Sequence, residues 1–505
     1  MRFKRFLIFS FCIIAAQIRT LLMRNQSAYK LLFMPQLQGF RELLGKWKAW
    51  RAFEIAKRDC PAYADFLAQH LGATVKLRGW TPDFSDIPAT DKKNYVLKYS
   101  IEERCVGGQL PLYGAQVDES SGSTGEPNNW VRGYRERESL ARTMQLALQS
   151  SLGGGPVFFL NAFALGPWAT GMTVSSGVID ICLLKSVGPD ASKIEKTLKK
   201  FGPKYRYIIA GYPPFLKSLV DTADIDWSQY DIVAFYGGEG ISESMRAYLC
   251  KAFKKVYGSY GASDLEINIG VENDFVINIR KLMLTNERLR RRFNGSLGDR
   301  LPMVFQYNPI DYMVESNADR ELVISLCRAE NAAPKLRYNI HDTGHCMSFD
   351  AVAQILREEG IDPESLAGDT PLAKLPVMFH YGRSDFAVGY FGCKITPGEI
   401  ESIVYGMPEL ATTISAFALV THEDAKNNKI LTVALELRQG QVAPADVAAL
   451  RDAVFARLEA VNQDFRESIK MVPADIKPEV KFYAQGEGPF ALNDIRIKLR
   501  YIQEQ

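Results

Sequence analysis

The sequence predicts an α/β protein with a large N-terminal body, whose parallel-rich sheets are covered by helices, and a small α+β C-terminal domain. Between residues 153 and 261, short apolar runs that end in glycine alternate with helical segments. This order of elements is typical of a parallel sheet. The chain also has 505 residues, whereas one compact domain usually holds about 100–200. We therefore expect more than one domain.

The first two segments in chain order are an N-terminal helical arm over residues 1–75 and a body over residues 76–382. In the arm, Trp47, Trp50, Phe53, Ala56 and Tyr63 recur with helical spacing among Lys and Arg. Helices of the body are expected at "DASKIEKTLKKFG", which Asp190 caps and Gly202 stops, and from Ser242 to Lys254. Its strands are expected at "GPVFFLNAFAL", "RYIIAG", "DIVAFYGGEG" and "KKVYGSYG". Ligands of such sheets bind at the carboxyl ends of the strands, where these glycines lie.

The C-terminal domain is expected over residues 383–505. Two β-rich runs, "TISAFALVTHED" and "KILTVALEL", are joined by the turn-like "AKNNK". A helix follows, with one apolar face made of Val447, Leu450, Val454, Leu458 and Val461.

Composition excludes several classes of protein. The formal net charge of +3 is too small to indicate a nucleic-acid partner. Eight cysteines are scattered without a CxxC pair, which favours free thiols in a reducing compartment over a disulfide framework or a zinc site.

The first 24 residues allow three interpretations. Arg2, Lys4 and Arg5 precede the apolar run "FLIFSFCIIAA", as in a secretory signal. A helix from Phe6 to Met23 would be about 27 Å long, close to the span of a bilayer core. The third interpretation is a helix that lies on a membrane surface or on the body of the protein. We favour the third, because the site predicted below uses ATP.

The loop Glu119–Pro127 reads "ESSGSTGEP", and seven of its nine residues are Ser, Thr, Gly or Pro. Small residues let main-chain N–H groups approach an anion, and the hydroxyls add donors. The loop is not a Walker sequence, because no Gly-Lys-Ser/Thr follows. By itself it fits a triphosphate site or a surface linker equally well.

The loop resembles the phosphate loop of the adenylate-forming superfamily, the acyl-CoA synthetases and their relatives. Four further segments resemble the motifs of this superfamily in the expected order. They are "YGGEG" (Tyr236–Gly240), "YGASD" (Tyr260–Asp264), "RYNIHDTG" (Arg337–Gly344) and "YGRSDFAVGYFGCKITPGEIE" (Tyr381–Glu401). The chain looks most like the phenylacetate–coenzyme A ligase branch, which has an N-terminal helical arm and a short C-terminal domain.

The resemblance implies a role for each matching position. The phosphates of ATP would be held by Ser120, Ser121, Gly122, Ser123, Thr124 and Gly125, with Thr124 also near Mg²⁺. The adenine pocket would be shaped by Gly238, Glu239, Tyr260 and Gly261, with Tyr260 stacking on the base. Asp342 and Arg383 would hold the ribose, and Asp385 would be the hinge of a mobile C-terminal domain. The turn beside the acyl pocket would be Gly211, Tyr212 and Pro213.

Two positions depart from the superfamily pattern. Asp264 stands where the family has a magnesium-binding glutamate, and Glu266 is a candidate substitute if the strand continues. The family's C-terminal Gly-Lys is absent from "GPFALNDIRIKLRYI", so Arg496 or Lys498 would supply the catalytic cation. Arginine and lysine are not interchangeable in geometry, and adenylation would therefore be slowed, or the lid would serve mainly the second half-reaction.

The resemblance implies an enzyme that activates a small carboxylic acid with ATP and Mg²⁺, releases pyrophosphate and transfers the acyl group to a thiol. That thiol is coenzyme A or the arm of an acyl carrier protein. We expect a cytoplasmic protein, with residues 1–24 offering a peripheral membrane contact at the inner face of the membrane. The alternative is a weakened homologue that binds nucleotides and acts as a regulatory or membrane-associated partner.

Overall fold

A computed structural model gives the fold of most of the chain. It describes residues 2–70, 72–119, 128–152, 155–166, 169–298, 300–368, 372–383, 388–390, 393–423, 429–462, 465–466, 469, 477–491 and 501–504.

The N-terminal arm consists of helices whose aromatic face is buried. They are α1 (Arg2–Leu22), α2 (Gln26–Lys30), α3 (Gln38–Asp59) and α4 (Pro61–Ala68). Pro61 lacks an N–H donor and suits the first turn of a helix, so α3 ends and α4 begins there. Trp50, Phe53 and Tyr63 are almost fully buried, as predicted, whereas Trp47 is only half-buried.

Two hairpins and the parallel half of the main sheet come next. The hairpins are β1 (Lys76–Arg78) with β2 (Thr81–Asp83), and β3 (Gln116–Glu119) with β4 (Asn129–Arg132). The following elements are α5 (Tyr134–Leu152), β5 (Val157–Asn161), α6 (Ala169–Val178), β6 (Leu183–Ser186), α7 (Ala191–Phe201), β7 (Arg206–Gly211), α8 (Pro213–Thr222), β8 (Asp231–Gly237), α9 (Glu243–Leu249) and β9 (Lys255–Tyr260).

Strands β6, β5, β7, β8 and β9 are parallel neighbours in that order. Alternate side chains of a strand point to opposite faces, and both faces of this sheet are covered. Phe159, Ile208 and Val233 pack with α5 and α6, whereas the residues beside them pack with α7, α8 and α9. This layered arrangement confirms the parallel sheet predicted from the glycine-terminated runs.

The structure confirms the predicted ends of one body helix and corrects the predicted end of another. Helix α7 begins after Asp190, whose side chain accepts from the Lys193 N–H, and ends at Gly202, whose φ of 72° suits glycine. The helix after Ser242 is shorter than predicted and stops at Leu249. The N–H groups of Lys251 and Ala252 bond to carbonyls three residues back, so the α-helical pattern gives way to a tighter turn.

The second half of the body extends the same sheet in antiparallel fashion. Its elements are β10 (Gly270–Val271), α10 (Asp274–Thr285), α11 (Glu287–Asn294), β11 (Met303–Tyr307), β12 (Tyr312–Ser316), β13 (Glu321–Leu326), β14 (Tyr338–Met347), α12 (Phe349–Glu358) and β15 (Val377–Arg383). The sheet runs β12-β13-β14-β15-β11-β10-β9-β8-β7-β5-β6. The sequence did not predict this antiparallel half.

The C-terminal part has its own sheet. Its elements are β16 (Val388–Tyr390), β17 (Cys393–Ile395), α13 (Pro397–Tyr405), α14 (Pro408–Thr413), β18 (Ile414–Glu423), β19 (Lys429–Leu437), α15 (Val447–Val461), β20 (Glu479–Tyr483) and β21 (Ile502–Glu504). Four strands are ordered β20-β19-β18-β21. The buried residues of α15 include Leu450, Val454 and Leu458 as predicted, but Val461 is 53% exposed because it ends the helix at the rim of the core.

Candidate active site

Three parallel strands end side by side at one edge of the main sheet. Gly211, at the end of β7, pairs with Tyr236 of β8, and Gly237 of β8 pairs with Ser259 of β9. The residues that follow these strands therefore share one edge. They are the predicted acyl-pocket turn, Tyr212 and Pro213, the predicted adenine loop, Gly238 and Glu239, and Gly261.

Glu239 joins the predicted adenine loop to two tyrosines. Its carboxylate accepts one hydrogen bond from the Tyr212 hydroxyl and another from the Tyr501 hydroxyl, the latter at 2.9 Å. Burial raises the pKa of Tyr212 well above its usual range, and the Glu239 charge raises it further. Gly238 has a φ of 87°, and a Cβ at this position would lie 3.0 Å from the Tyr212 ring. Glycine is therefore required for the loop to fit against the acyl-pocket turn.

Tyr260 and Asp342, which come from distant parts of the sequence, meet at the end of β9. The Tyr260 hydroxyl donates to Asp342 Oδ2 at 2.7 Å. Asp342 on β14 is also the cross-strand partner of Arg383 on β15. The structure thus brings together the residues predicted to contact adenine and ribose. The stacking of Tyr260 on the base stays a prediction.

His380 is a third polar residue at this point, and the sequence did not single it out. Its Nε2 lies 3.2 Å from Asp342 Oδ2, and its ring is 4.8 Å from the Tyr260 ring. It precedes Arg383 by three residues, so its position next to the "YGR" segment could have identified it from the sequence. Burial raises the pKa of Tyr260 well above its usual range, with the Asp342 carboxylate adding to the effect.

The two candidate magnesium ligands have different surroundings. Asp264 lies half-buried in the loop after β9, where its Oδ2 accepts from the Tyr338 hydroxyl at 2.8 Å. Glu266 is buried, accepts from the Tyr312 hydroxyl at 2.5 Å and pairs with Arg328. Strand β9 ends at Tyr260, so the proposed continuation that would aim Glu266 beside Asp264 does not occur. Glu266 is therefore a poor substitute ligand.

A bound Mg²⁺ needs oxygen ligands, and Asp264 can supply one. No cluster of three or more His, Cys, Asp or Glu side chains occurs in the part of the chain that the structure describes. Mg²⁺ on a nucleotide is commonly held by one or two carboxylates together with phosphate oxygens. Asp264 fits that kind of site.

The predicted phosphate loop connects the two strands of a hairpin. Glu119 of β3 pairs with Asn129 of β4. The loop residues Ser120, Ser121, Gly122, Ser123, Thr124 and Gly125 lie outside the described residues, as do Asp385, Arg496 and Lys498. Their roles stay predictions.

Arg132 connects this hairpin to the loop that carries Asp264, and the sequence did not predict it. Its guanidinium pairs with Asp118 of β3 and donates to the main-chain carbonyls of Ser263 and Leu265. These two residues flank Asp264. All of these contacts are buried or nearly so. Arg132 therefore fixes the carboxylate of Asp264 relative to the base of the predicted phosphate loop.

The C-terminal part contacts helix α8 and the start of helix α9 in the body. Glu401 of α13 accepts from the Ser242 N–H at 2.5 Å, and Lys217 of α8 donates to the Ile414 carbonyl at 2.7 Å. Arg438, the residue after β19, pairs with Asp221 at 2.9 Å. Burial raises the pKa of Glu401 to about 7, with Glu239 nearby adding to the effect. The site is thus lined by residues of both parts of the chain.

Comparison with known proteins identifies the fold of this chain. No protein-family model and no curated protein matches the chain in sequence. A solved structure of 2-hydroxyisobutyryl-CoA ligase, in the postadenylation state with R3-HIB-AMP, matches 92% of this chain and 89% of its own, at 11% identity and a TM-score of 0.65. In its open conformation with 2-HIB-AMP and CoA, the ligase matches 91% and 90% of the two chains, at 12% identity and a TM-score of 0.52.

A third structure of this ligase, in the thioesterification state with 2-HIB-AMP and CoA, covers 93% of this chain and 90% of its own at 12% identity and a TM-score of 0.50. The chain therefore has the fold of this CoA ligase, and the predicted α/β fold class is confirmed. The TM-score is higher for the postadenylation state than for the other two.

Proposed function

We propose that this chain, which has the fold of a CoA ligase, activates a carboxylic acid with ATP and passes the acyl group to a thiol. The observation that carries the proposal is the meeting of Tyr260, Asp342 and Arg383 at one edge of the sheet. These residues come from three separate motifs of the resemblance. An adenosine bound there would lie beside the Glu239 loop, which contacts the predicted acyl-pocket turn through Tyr212.

The first half-reaction joins two anions. A carboxylate oxygen of the acid attacks the α-phosphorus of ATP, a new C–O–P linkage forms, and the bond to pyrophosphate breaks. Main-chain amides of residues 120–125 would neutralise the phosphates, and preorganised donors of this kind are worth about 2.7–4 kcal/mol each. Asp264, held in place by Arg132, would contribute one oxygen to a Mg²⁺ that balances phosphate charge.

The second half-reaction replaces oxygen by sulfur. A thiolate attacks the acyl carbon, the C–S bond forms, and AMP leaves with the C–O bond electrons. We propose coenzyme A or a carrier-protein arm as the thiol and a swing of the C-terminal domain about Asp385 between the half-reactions. The higher TM-score against the postadenylation state of the solved ligase supports an arrangement here that suits the first half-reaction.

A cation from the C-terminal tail completes the proposal. Tyr501 contacts Glu239, and it follows Arg496 by five residues and Lys498 by three. This contact supports delivery of one of these two cations to the carboxylate and the α-phosphate.

The substrate class follows from the same analogies. The solved ligase acts on a small hydroxy acid, and the resemblance to the phenylacetate–coenzyme A ligase branch favours aryl acids. We propose small carboxylic acids as a class and the cytoplasm as the location, because the reaction consumes ATP and a cellular thiol.

The test is acid-dependent release of pyrophosphate, with hydroxylamine added to trap acyl-AMP as a hydroxamate. A panel of aryl, hydroxy and fatty acids is screened with the full-length protein. We expect release with at least one acid and its loss in Asp342→Asn, while the surface variant Asp224→Asn behaves as the unchanged protein. ATP binding without release or hydroxamate for any acid would contradict the proposal and favour the nucleotide-binding homologue.

A further inference from the structure

Helix α1 is held on the body by one face. Ile8 and Cys12 are buried, and the Phe9 ring meets the Trp50 ring edge-on at 5.2 Å. Near its C-terminal end, Arg19 donates to both carboxylate oxygens of the buried Asp311 at 2.6 Å. Removing one partner of such a buried ion pair is strongly destabilising. Contacts along its length therefore hold the helix in one position on the rest of the protein.

These contacts argue against a membrane-spanning orientation. Among the described residues, α1 is the one helix long and apolar enough to cross a membrane. A spanning helix would have to give up its contacts with Trp50 of α3 and with Asp311 of the body. It would also place Arg19 in the hydrocarbon without its carboxylate partner. A helix that keeps its contacts can only lie along the protein surface.

The face of α1 opposite its buried residues is apolar and exposed. Phe3 is 73%, Phe6 is 67% and Leu21 is 61% exposed. This stripe comprises Phe3, Phe6, Leu7, Ile13, Ile14 and Leu21, which fall on one side of the helix at 3.6 residues per turn. Contiguous exposed apolar patches on a protein surface often mark an interaction surface.

Neighbouring side chains enlarge the stripe. Phe40 lies 6.0 Å from Phe11 between ring centroids and is 41% exposed, and Trp80, under the Lys4 ammonium, is 48% exposed. Aromatic side chains with a polar group are frequent where a protein meets the headgroup layer.

The charge of this region identifies the partner. Residues 1–59 contain twelve Lys and Arg against three Asp and Glu, whereas the whole chain has 61 against 58. Arg2, Lys4, Arg5, Lys57 and Arg58 are exposed. Contacts of Arg5 with Glu54 and of Phe9 with Trp50 show that α1 and α3 are antiparallel, so these cations lie at one end of the stripe. A second copy packed with its α1 parallel would bring like charges together, whereas anionic lipid headgroups would neutralise them.

We propose that the outer face of α1 is a membrane-contact surface, which rests in the headgroup layer of an anionic bilayer with the helix parallel to the plane. Apolar insertion and basic residues at the headgroups are the features of interfacial helices. The contact goes beyond the proposed ligase activity and does not depend on it.

Vesicle flotation of the full-length protein tests the proposal without ATP or acid. We expect flotation with vesicles of phosphatidylcholine mixed with phosphatidylglycerol, weak flotation with phosphatidylcholine alone, and release by high salt or alkaline carbonate. Phe6→Glu/Ile13→Glu should abolish flotation. The matched control Leu112→Glu/Val442→Glu, which changes two exposed apolar residues elsewhere, should float normally. Arg2→Gln/Lys4→Gln should bind about 25-fold more weakly, about fivefold for each cation.

Several outcomes would overturn the proposal. They are failure of the unchanged protein to float with anionic vesicles, equal flotation of Phe6→Glu/Ile13→Glu and its control Leu112→Glu/Val442→Glu, and retention in membranes after alkaline carbonate, which would indicate a spanning helix. A dimer in solution that Phe6→Glu/Ile13→Glu converts to monomers would assign the surface to a second copy instead. Unfolding temperatures equal to that of the unchanged protein verify that α1 keeps its contacts in the variants.

Discussion

The Tyr501 hydroxyl donates a hydrogen bond to Glu239 Oε2 at 2.9 Å, which ties the residue before strand β21 to the loop after β8. Tyr501 is buried, and its pKa lies well above its usual range because of burial and the Glu239 charge. The hydroxyl therefore remains a donor at physiological pH. This bond is where the proposed lid reaches the proposed adenine loop.

Tyr501→Phe should slow acid-dependent release of pyrophosphate about tenfold. A hydrogen bond to a charged group contributes about 1.5–3 kcal/mol, and its loss would loosen the lid in the first half-reaction. The affinity for ATP, measured by calorimetry, should stay the same, because the proposed nucleotide contacts lie in the body. Tyr113→Phe, at an exposed position, is the control. An unchanged rate in Tyr501→Phe would contradict a role for this contact.

Tyr260→Phe should weaken ATP binding about ten- to a hundredfold. The variant removes the donor that holds Asp342, the proposed ribose ligand, in place. A hydrogen bond to a charged group is typically worth about 1.5–3 kcal/mol. Tyr207→Phe is a matched control, because its hydroxyl bonds to the Gly202 carbonyl away from the site. Equal dissociation constants for the two variants in a calorimetric titration would show that Asp342 does not bind the nucleotide.

Arg132→Lys should raise the Mg²⁺ concentration needed for half-maximal pyrophosphate release about tenfold. Lysine keeps the charge beside Asp118 but cannot reach the carbonyls of Ser263 and Leu265 together, since only the guanidinium has a planar fork of donors. The loop of Asp264 would then be less well fixed. Arg292→Lys, on the surface of α11, is the control. An unaltered Mg²⁺ dependence in Arg132→Lys would argue that Asp264 does not bind the metal.

The stability of the protein should fall as pH rises through about 7, and Glu401 should cause part of this fall. Burial raises the pKa of Glu401 to about 7. A carboxyl whose pKa is raised in the folded state binds its proton more tightly there than in the unfolded chain. Its contribution is fully present below the ordinary carboxyl pKa and is lost as the pH passes the folded pKa. Ser242 and Arg280 oppose the effect, whereas Glu239 strengthens it.

Glu401→Gln should remove this dependence, which amounts to about 2–3 kcal/mol between pH 5 and pH 8. Thermal unfolding across that range measures it, with Glu409→Gln, an exposed residue of α14, as the control. The same slope in both variants would mean that Glu401 does not titrate in this window.

Arg496→Ala should slow adenylation strongly but leave the transfer of a preformed acyl-adenylate to the thiol unchanged. Lys498→Ala should have the smaller effect, because the resemblance to the superfamily puts Arg496 at the position of its lysine. Single-turnover assays of each half-reaction measure the two steps separately. Equal losses in both half-reactions would argue for a structural role of the tail.

The parallel half of the fold was predictable because buried parallel strands are continuous apolar runs that end in glycine. Strands β7 and β8, with their glycine ends, illustrate this pattern. The antiparallel half was missed because strands such as β12 and β14 carry polar residues, among them Glu315, His341 and Asp342. These residues interrupt the alternation by which an exposed strand is recognised.

The site was predictable only where a residue belongs to a motif. Asp342 and Tyr260 were identified in this way, and the structure shows them in contact. Arg132 was missed because its carbonyl acceptors at Ser263 and Leu265 lie more than a hundred residues away in the sequence. The poor fit of Glu266 was equally hidden, because its partner Arg328 is brought close only by the sheet.

Transfer of oxygen from the acid to AMP tests the central claim most directly. The full-length protein is incubated with ATP, Mg²⁺, coenzyme A and an acid, found by the screen, that carries ¹⁸O in its carboxylate. Attack of this carboxylate on the α-phosphorus followed by cleavage of the C–O bond must leave one labelled oxygen in AMP. We predict singly labelled AMP by mass spectrometry, in step with thioester formation. Unlabelled AMP, or release of labelled phosphate with ADP, would contradict the account.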